Sequence, residues 1–469
     1  MDSTDTIDLA ARTPLPYSSS DESLASERLA DTSAEEGLRN NESSLAPVDG
    51  GFGAWSFLAG AFMVETIVWG FSIAYGSFLS EYLADTKYAS QSWAATGLPL
   101  VGPLSSGIMY CSGFFLYPTI ARYPFARRPM MWAGTAIMFL SLFIASYTTK
   151  IVELIILQGC LYGIGGAIVY APTISYLSEW FVTRRGMANG VIFAGTAAGG
   201  LLLPLIVPHL IASYGIQKAL RILAIASTIA LVPALPFIKG RLPESRVAGP
   251  RARSSGYGWM RNETVWFVLA ANTLQGFGYF VPTVWLPTFA SDLGLSSANA
   301  SLMLALLNGS SVVGRIGLGY LSDRTDPWIL AMITLSLASV SSFVLWGVLS
   351  NSLAGLLAFG IAYGSIAGGW SSLWTGFIKP IAKDDLTLST SLYGYLLFSR
   401  GLGNVLSTPI STSLSSGYGS GSGQRHIKTG FDVAGGKFEK MIVYVGACFA
   451  GATLVVSTQW ALRRMKSSS

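Results

Sequence analysis

The chain has 469 residues, of which 51% are hydrophobic and only 12% charged, about half the charged share of an ordinary soluble domain. A water-soluble protein of this length has no way to hide so much apolar surface, so the composition points to a chain embedded in lipid. The formal charge of +5 lies in short clusters between apolar segments, which argues against nucleic-acid binding and fits membrane topology.

The segment before Asp49 carries ten acidic against three basic residues among Ser, Thr, Ala and Pro. It lacks apolar periodicity and a signal-peptide hydrophobic region, so residues 1–48 are predicted to be a disordered acidic cytoplasmic tail. Twelve hydrophobic segments then follow, each long enough to cross a bilayer. They are expected near 54–79, 93–117, 130–147, 151–177, 187–212 and 219–238, and then near 265–290, 298–321, 328–349, 353–377, 386–414 and 441–462. The fold class predicted is an all-α membrane protein of twelve transmembrane helices in two six-helix halves. The halves are 49–238 and 265–462, joined by a basic cytoplasmic linker at 239–264 and followed by a short cytoplasmic tail, 463–469. Plentiful glycine (52) and tryptophan (13) suit close helix packing and interfacial anchoring. Cys111, Cys160 and Cys448 fall within apolar stretches and imply no disulfide framework.

With the amino end cytoplasmic, the loops and tail on that side hold 17 basic residues, among them Arg127, Arg184, Arg324 and Arg463, against eight on the other side. Both termini are therefore predicted inside. An internal echo supports a duplicated architecture. Tyr162, Gly163, Gly165 and Gly166 in the fourth span match Tyr363, Gly364, Gly368 and Gly369 in the tenth.

Few ionisable residues lie far from a span end: Glu65, Arg315 and Arg400, with His209 and Glu153 nearer an edge. Glu65 follows Ala54 by 11 positions, roughly 16 Å along a helix crossing about 30 Å of hydrocarbon. Arg315 precedes Arg324 by nine positions, roughly 13 Å in from that end. An unpaired charge at such depth costs at least about 2.5 kcal/mol, so each needs a partner or a watery cavity. A guanidinium stays charged and grips a carboxylate through two parallel hydrogen bonds, which makes Arg315 a carboxylate clamp, or else half of a permanent ion pair or a donor to broken-helix carbonyls. Arg400, flanked by Gly401 and Gly403, either faces a substrate or packs and pairs, with Glu65 as one partner. Glu65 is the natural proton carrier, because burial and an approaching arginine push a carboxyl in opposite directions; a fixed Glu65 to arginine bridge is the alternative. Tyr162, Asn272, Tyr279, Asn308 and Trp370 are expected to line the substrate site, with Trp69, Tyr75, Tyr170, Gln275 and Tyr393 as further cavity candidates. Pro204 and Pro208, and Pro282 and Pro287, make either flexible joints or static kinks.

The run Asp49-Gly50-Gly51-Phe52-Gly53-Ala54-Trp55 resembles the opening signature of the monocarboxylate porter family of the major facilitator superfamily, with one extra residue before Trp55. A second signature between spans four and five is matched by Trp180-Phe181-Val182-Thr183-Arg184-Arg185-Gly186-Met187-Ala188-Asn189-Gly190. After span eight, Gly319 and Asp323-Arg324 keep the core of the general superfamily pattern, whereas Ala121-Arg122 stands where Asp-Arg is usual after span two. Half of a cytoplasmic latch is thus expected to be lost. The resemblance, of fungal flavour, assigns Asp49, Gly50, Gly51, Arg184, Arg185, Gly319, Asp323 and Arg324 to conformational motifs and Arg315 to substrate binding. It implies movement of a small, monocarboxylate-like organic anion by alternating access, or export of a larger fungal metabolite. The plasma membrane is the expected location ahead of the vacuolar or another internal membrane, and no cofactor is expected. Animal relatives can use a single-span accessory subunit. They also place a lysine late in span one and an acid one turn before the span-eight arginine, where this chain has Phe71-Ser72-Ile73-Ala74 and Ser311. Proton symport therefore requires Glu65 to substitute, failing which the protein works as a facilitator or exporter.

An enzymatic reading finds no His-Glu-x-x-His and no phosphate loop, and the chain has only two histidines, His209 and His426.

Overall fold

Lipid offers no hydrogen bonds to the backbone, so apolar runs of this length become helices that satisfy their own N–H and C=O groups. The computed structural model describes residues 45–243, 257–383, 385–415 and 428–468. Its long helices are α1 (Gly51–Ala84), α2 (Ala94–Arg122), α3 (Pro124–Ala145) and α4 (Ile151–Trp180). Next, Arg185–Phe237 is broken at Gly215, whose φ of 77° and ψ of 163° suit a residue without Cβ. The two arms are α5 (185–214) and α6 (216–237). The second set comprises α7 (Glu263–Asp292), α8 (Ala298–Ser322), α9 (Pro327–Val348), α10 (Leu353–Ala382), α11 (Leu386–Ser415) and α12 (Glu439–Lys466). Among the described residues there is no strand. The expected acidic tail, but for its last four residues, and the middle of the expected linker (244–256) lie outside the described residues.

Every predicted span corresponds to a helix, and most helices run past the predicted ends. By length and composition, nine helices among the described residues suffice to cross a membrane, with α5 and α6 counted together. The remaining two, α7 and α11, are long but less apolar. They carry Asn272, Gln275 and Arg400, which are 0%, 0% and 3% exposed, so their polar groups face protein and not lipid.

Small residues set how closely the helices approach. On α5, a Cβ at Gly199 would sit 2.4 Å from the Thr66 carbonyl oxygen of α1, and at Gly190 2.3 Å from the Arg315 carbonyl oxygen of α8. The α2/α11 crossing is equally tight, since a Cβ on Gly394 would lie 2.3 Å from the Gly113 oxygen. These two crossings, α5 with α8 and α2 with α11, join the first six helices to the second six.

The internal echo has a shared geometry. The Tyr162 hydroxyl of α4 donates to the Ile67 and Val68 carbonyls of α1 at 3.1 and 3.2 Å. The Tyr363 hydroxyl of α10 donates to the Gly278 and Tyr279 carbonyls of α7, both at 3.2 Å. Pro204, Pro208, Pro282 and Pro287 sit inside continuous helix, and the one residue of Arg185–Phe237 with non-helical backbone is Gly215.

Candidate functional site: a central cavity and a clasped helix end

Between the halves lies a cavity of about 320 Å³. Its α1 lining runs from Glu65 to Leu79, its α2 lining from Pro99 to Tyr110 and its α11 lining from Leu397 to Thr408. All three stretches lead from mid-helix away from the end of the bundle where α1 starts and α12 finishes. At that terminal end α5 and α8 are in contact, so the cavity is closed there, and its lining continues toward the far side.

Of the predicted site residues, Glu65, Tyr279, Asn308, Arg315 and Arg400 line this cavity, as do Trp69 and Tyr75. Glu65 is 1% exposed; its Oε1 accepts a hydrogen bond from the Thr196 hydroxyl, and its Oε2 is buried without a partner. Arg315 donates from NH1 to the Phe193 carbonyl of α5, while its Nε is buried and unpartnered. Arg400 donates to the Gln275 Oε1 at 2.7 Å and holds its guanidinium over the rings of Tyr279 (4.5 Å) and Phe280 (5.6 Å), a cation–π arrangement. Neither arginine has a carboxylate within 4.0 Å among the described residues; the ion pairs there involve other residues. A permanent Glu65 to arginine bridge, one of the sequence alternatives, is absent from this conformation. Asn308 donates to the Gly200 carbonyl of α5 at 3.2 Å across the α5/α8 crossing.

Tyr162, Asn272 and Trp370 do not line the cavity, contrary to expectation. Tyr162 is taken up by the α1 carbonyls. Asn272 is the centre of a polar knot, donating to Leu396 O (2.7 Å) and Ser399 Oγ (2.5 Å) and accepting from the indoles of Trp370 (2.8 Å) and Trp374 (3.0 Å). A buried amide with all these bonds filled ties α7, α10 and α11 together. Gln275 and Tyr393 likewise serve packing: Gln275 positions Arg400, and the Tyr393 hydroxyl donates to Asn189 Oδ1 at 3.1 Å.

At the terminal end the two signature runs meet. Asp49, at φ 58°, accepts from the backbone N–H groups of Val182 (3.0 Å), Thr183 (3.0 Å) and Arg184 (2.9 Å), and its own N–H donates to Trp180 O at 2.9 Å. Gly50 is extended at the α1 N-cap, and Gly51, at φ 78°, makes the turn into the helix. Burial alone would raise the Asp49 carboxyl, but the Thr183, Arg184 and Val182 donors outweigh it and hold the group below its ordinary value. From the opposite half, Asp323 accepts from the N–H groups of Gly186 (2.6 Å) and Met187 (2.8 Å). Two carboxylates thus grip the positive start of α5. Burial pushes the Asp323 carboxyl above its usual value despite these donors. Gly319 lets α8 close on α5, since a Cβ there would lie 2.4 Å from the Gly186 oxygen. Arg185 turns back onto Phe181 O (3.0 Å) and Ser178 O (3.3 Å), Arg184 contributes its backbone N–H, and Arg324 covers the Tyr320 ring at 4.2 Å.

Sequence reasoning missed a further pair at this end. Arg127, counted only as a loop cation, donates to Glu179 at 2.6 Å, with side chains 3% and 1% exposed. Glu179 Oε2 also accepts from Leu242 N at 3.2 Å. The pair holds the start of α3, the end of α4 and the chain leaving α6 together where Ala121 supplies no acid. The signal was present in Glu179 itself, an acid in the last turn of an apolar span.

Two six-helix sets around a central cavity closed at one end define the architecture of a major facilitator transporter. Residues 57–408 match the family model of the Major Facilitator Superfamily, and the chain belongs to that family and is a multi-pass integral membrane transporter. It is 30% identical to the MFS-type transporter pytF of Aspergillus terreus over 64% of this chain and 98% of that one. It is 28% identical to the MFS-type transporter hasB of Aspergillus fumigatus over 90% and 91%, and 25% identical to the fujikurins efflux protein of Gibberella fujikuroi over 74% of each. Among solved structures, the human organic anion transporter MFSD10 aligns with a TM-score of 0.61 at 14% identity, covering 86% of this chain and 99% of that one. The proton:xylose symporter XylE aligns with a TM-score of 0.65 at 15% identity, covering 86% and 95%.

Proposed function

We propose that this protein exports an organic anion with a sizeable apolar body, a fungal metabolite acid, by alternating access. The observation that carries the reading is that Arg315 and Arg400 both open on one aromatic-lined cavity and that, among the described residues, neither is ion-paired to a carboxylate. Two cations face one acid, Glu65, in the cavity lining, which leaves net positive charge there for an anionic ligand to neutralise. A cavity of about 320 Å³ lies within the range that holds drug-sized ligands, which favours a larger acid over a short one. The Gibberella relative is named as an efflux protein, which agrees with the outward direction.

In this reading the halves 49–238 and 265–462 rock about the cavity, the linker 239–264 and both termini are cytoplasmic, and the clasp at the start of α5 keeps the cytoplasmic side shut. The meeting of the two signature runs through Asp49 supports membership of the monocarboxylate porter family. Residence in the plasma membrane follows from export. Glu65 carries the coupled proton: its unpartnered Oε2 stands near enough to Arg315 to feel that charge.

The test is efflux and counterflow of aromatic and aliphatic carboxylates in proteoliposomes, with and without an imposed pH gradient. Transport of acids that falls roughly ten- to hundredfold in Arg315→Lys at unchanged protein level is the expected result. Equal transport of neutral analogues of the same size would overturn the anion reading.

A further inference from the structure

Two residues of the cavity wall carry buried polar atoms that have no partner in the folded chain, and they lie next to a continuous array of rings. Trp69 of α1 is 3% exposed and lines the cavity, yet its indole Nε1 is buried without an acceptor. It stands one turn beyond Glu65 on the same helix face. Arg315 Nε, from α8, is a second buried donor without an acceptor. Native proteins leave such donors unpaired where a ligand or ordered water takes them up.

The ring array begins at this unpaired indole. Trp69 and Tyr110 of α2 have ring centroids 4.5 Å apart, and Tyr110 meets Phe280 of α7 edge-on at 5.9 Å. Phe280 in turn meets Tyr279 at 5.1 Å, and Arg400 covers both of those rings. Tyr110 lies in the electrostatic field of both Arg315 and Arg400. The array therefore crosses from one half of the molecule to the other, with an unpaired donor at one end and a cation at the other.

We infer that the substrate is a flat, conjugated carboxylate: its ring system lies along Tyr110 and Phe280, and its carboxylate oxygens accept from Trp69 Nε1 and Arg315 Nε once these two side chains turn toward the cavity. This rests on the organic-anion reading above and specifies the body of the anion. A saturated acid of equal volume fills the cavity but gains no ring-on-ring contact, whereas a planar one gains offset or edge contacts with two aromatic side chains. Trp69 is thereby a specificity residue: its ring orders the wall and its N–H fixes the orientation of the acid.

The probes are 2-naphthoate and trans-decalin-2-carboxylate, matched in charge and carbon skeleton, titrated calorimetrically into the full-length protein in detergent. Wild-type protein is expected to bind 2-naphthoate about tenfold tighter than the saturated acid. Trp69→Phe keeps a ring and removes the N–H, and is expected to weaken 2-naphthoate about fivefold. Phe280→Leu is expected to reduce the preference between the two acids, with Tyr110 supplying what remains. Equal affinity of wild-type protein for both acids overturns this inference and leaves the anion reading standing, while binding of neither acid overturns both. The wild-type comparison does not depend on any variant folding. For a folded Trp69→Phe, confirmed by its size-exclusion profile, unchanged 2-naphthoate affinity overturns the role of the indole N–H.

Discussion

Two sets of buried acid and base sit in this molecule, and they are arranged in opposite ways. At the terminal end Arg127 and Glu179 are bonded at 2.6 Å. In the cavity Glu65 and Arg315 share one wall yet bond to a hydroxyl and to a backbone carbonyl, each keeping an atom unsatisfied. The first arrangement is closed chemistry: each charge is neutralised locally and serves to fix helix ends. The second leaves charge available, at a cost in stability that only a bound ion or proton recovers. Burial alone thus says little about function, whereas burial without a partner says a good deal.

The sharpest way to break this comparison is to remove one member of the closed pair. Arg127→Ala strands Glu179 in the protein interior and is expected to destabilise the folded state by about 3 to 5 kcal/mol, visible as a lower Tm of the purified protein. The double variant Arg127→Met with Glu179→Leu should recover most of that loss. A single variant as stable as wild type would show that the pair is not neutralising anything. In the cavity the effect should fall on transport and not on stability. Arg315→Lys keeps the charge but loses the planar donor fork, and is expected to reduce organic-anion transport roughly ten- to hundredfold with little change in Tm.

A smaller effect separates the two acids. Glu65→Gln should abolish the response of transport to an imposed pH gradient while leaving counterflow of preloaded substrate largely intact; if the gradient response persists, the proton travels elsewhere. Asp49→Ala removes an acceptor for three N–H groups and is expected to cost about 1 kcal/mol, measured as a shift in thermal unfolding.

The smallest expected effect is one of pH on the clasp. Asp323 has a carboxyl raised by burial when α5 and α8 are closed, so the closed state takes up a proton more readily than an open one with Asp323 in water. Acidification therefore favours closure at the terminal end, and the advantage fades as pH rises past the raised value. Labelling of Thr408→Cys by a charged thiol reagent from the far side should increase as pH falls, and the added Asp323→Asn change should flatten that profile.

Much of this arrangement was legible in the sequence because lipid makes charge conspicuous. A lone Glu65, Arg315 or Arg400 within twenty apolar residues announces itself, and all three reach the cavity. Rotation of a helix about its axis is not legible in the same way. Tyr162, Asn272 and Trp370 are chemically suited to a binding site, but α4, α7 and α10 are surrounded by protein on several sides, and no polar stripe marks which neighbour each residue faces. Arg127 and Glu179 were hidden for the converse reason. They lie about fifty positions apart near segment ends, where charge is ordinary, and only the folding of α3 against α4 brings them together.

The matching tyrosines on α4 and α10 have a mechanical consequence. Each hydroxyl grips a helix belonging to its own half, α1 for Tyr162 and α7 for Tyr363. Neither bond spans the seam that must part when the cavity changes sides. In the rocking proposed above, each half carries its own internal brace and moves as a stiff lever, so strain generated by ligand arrival falls on the seam and not inside either lever.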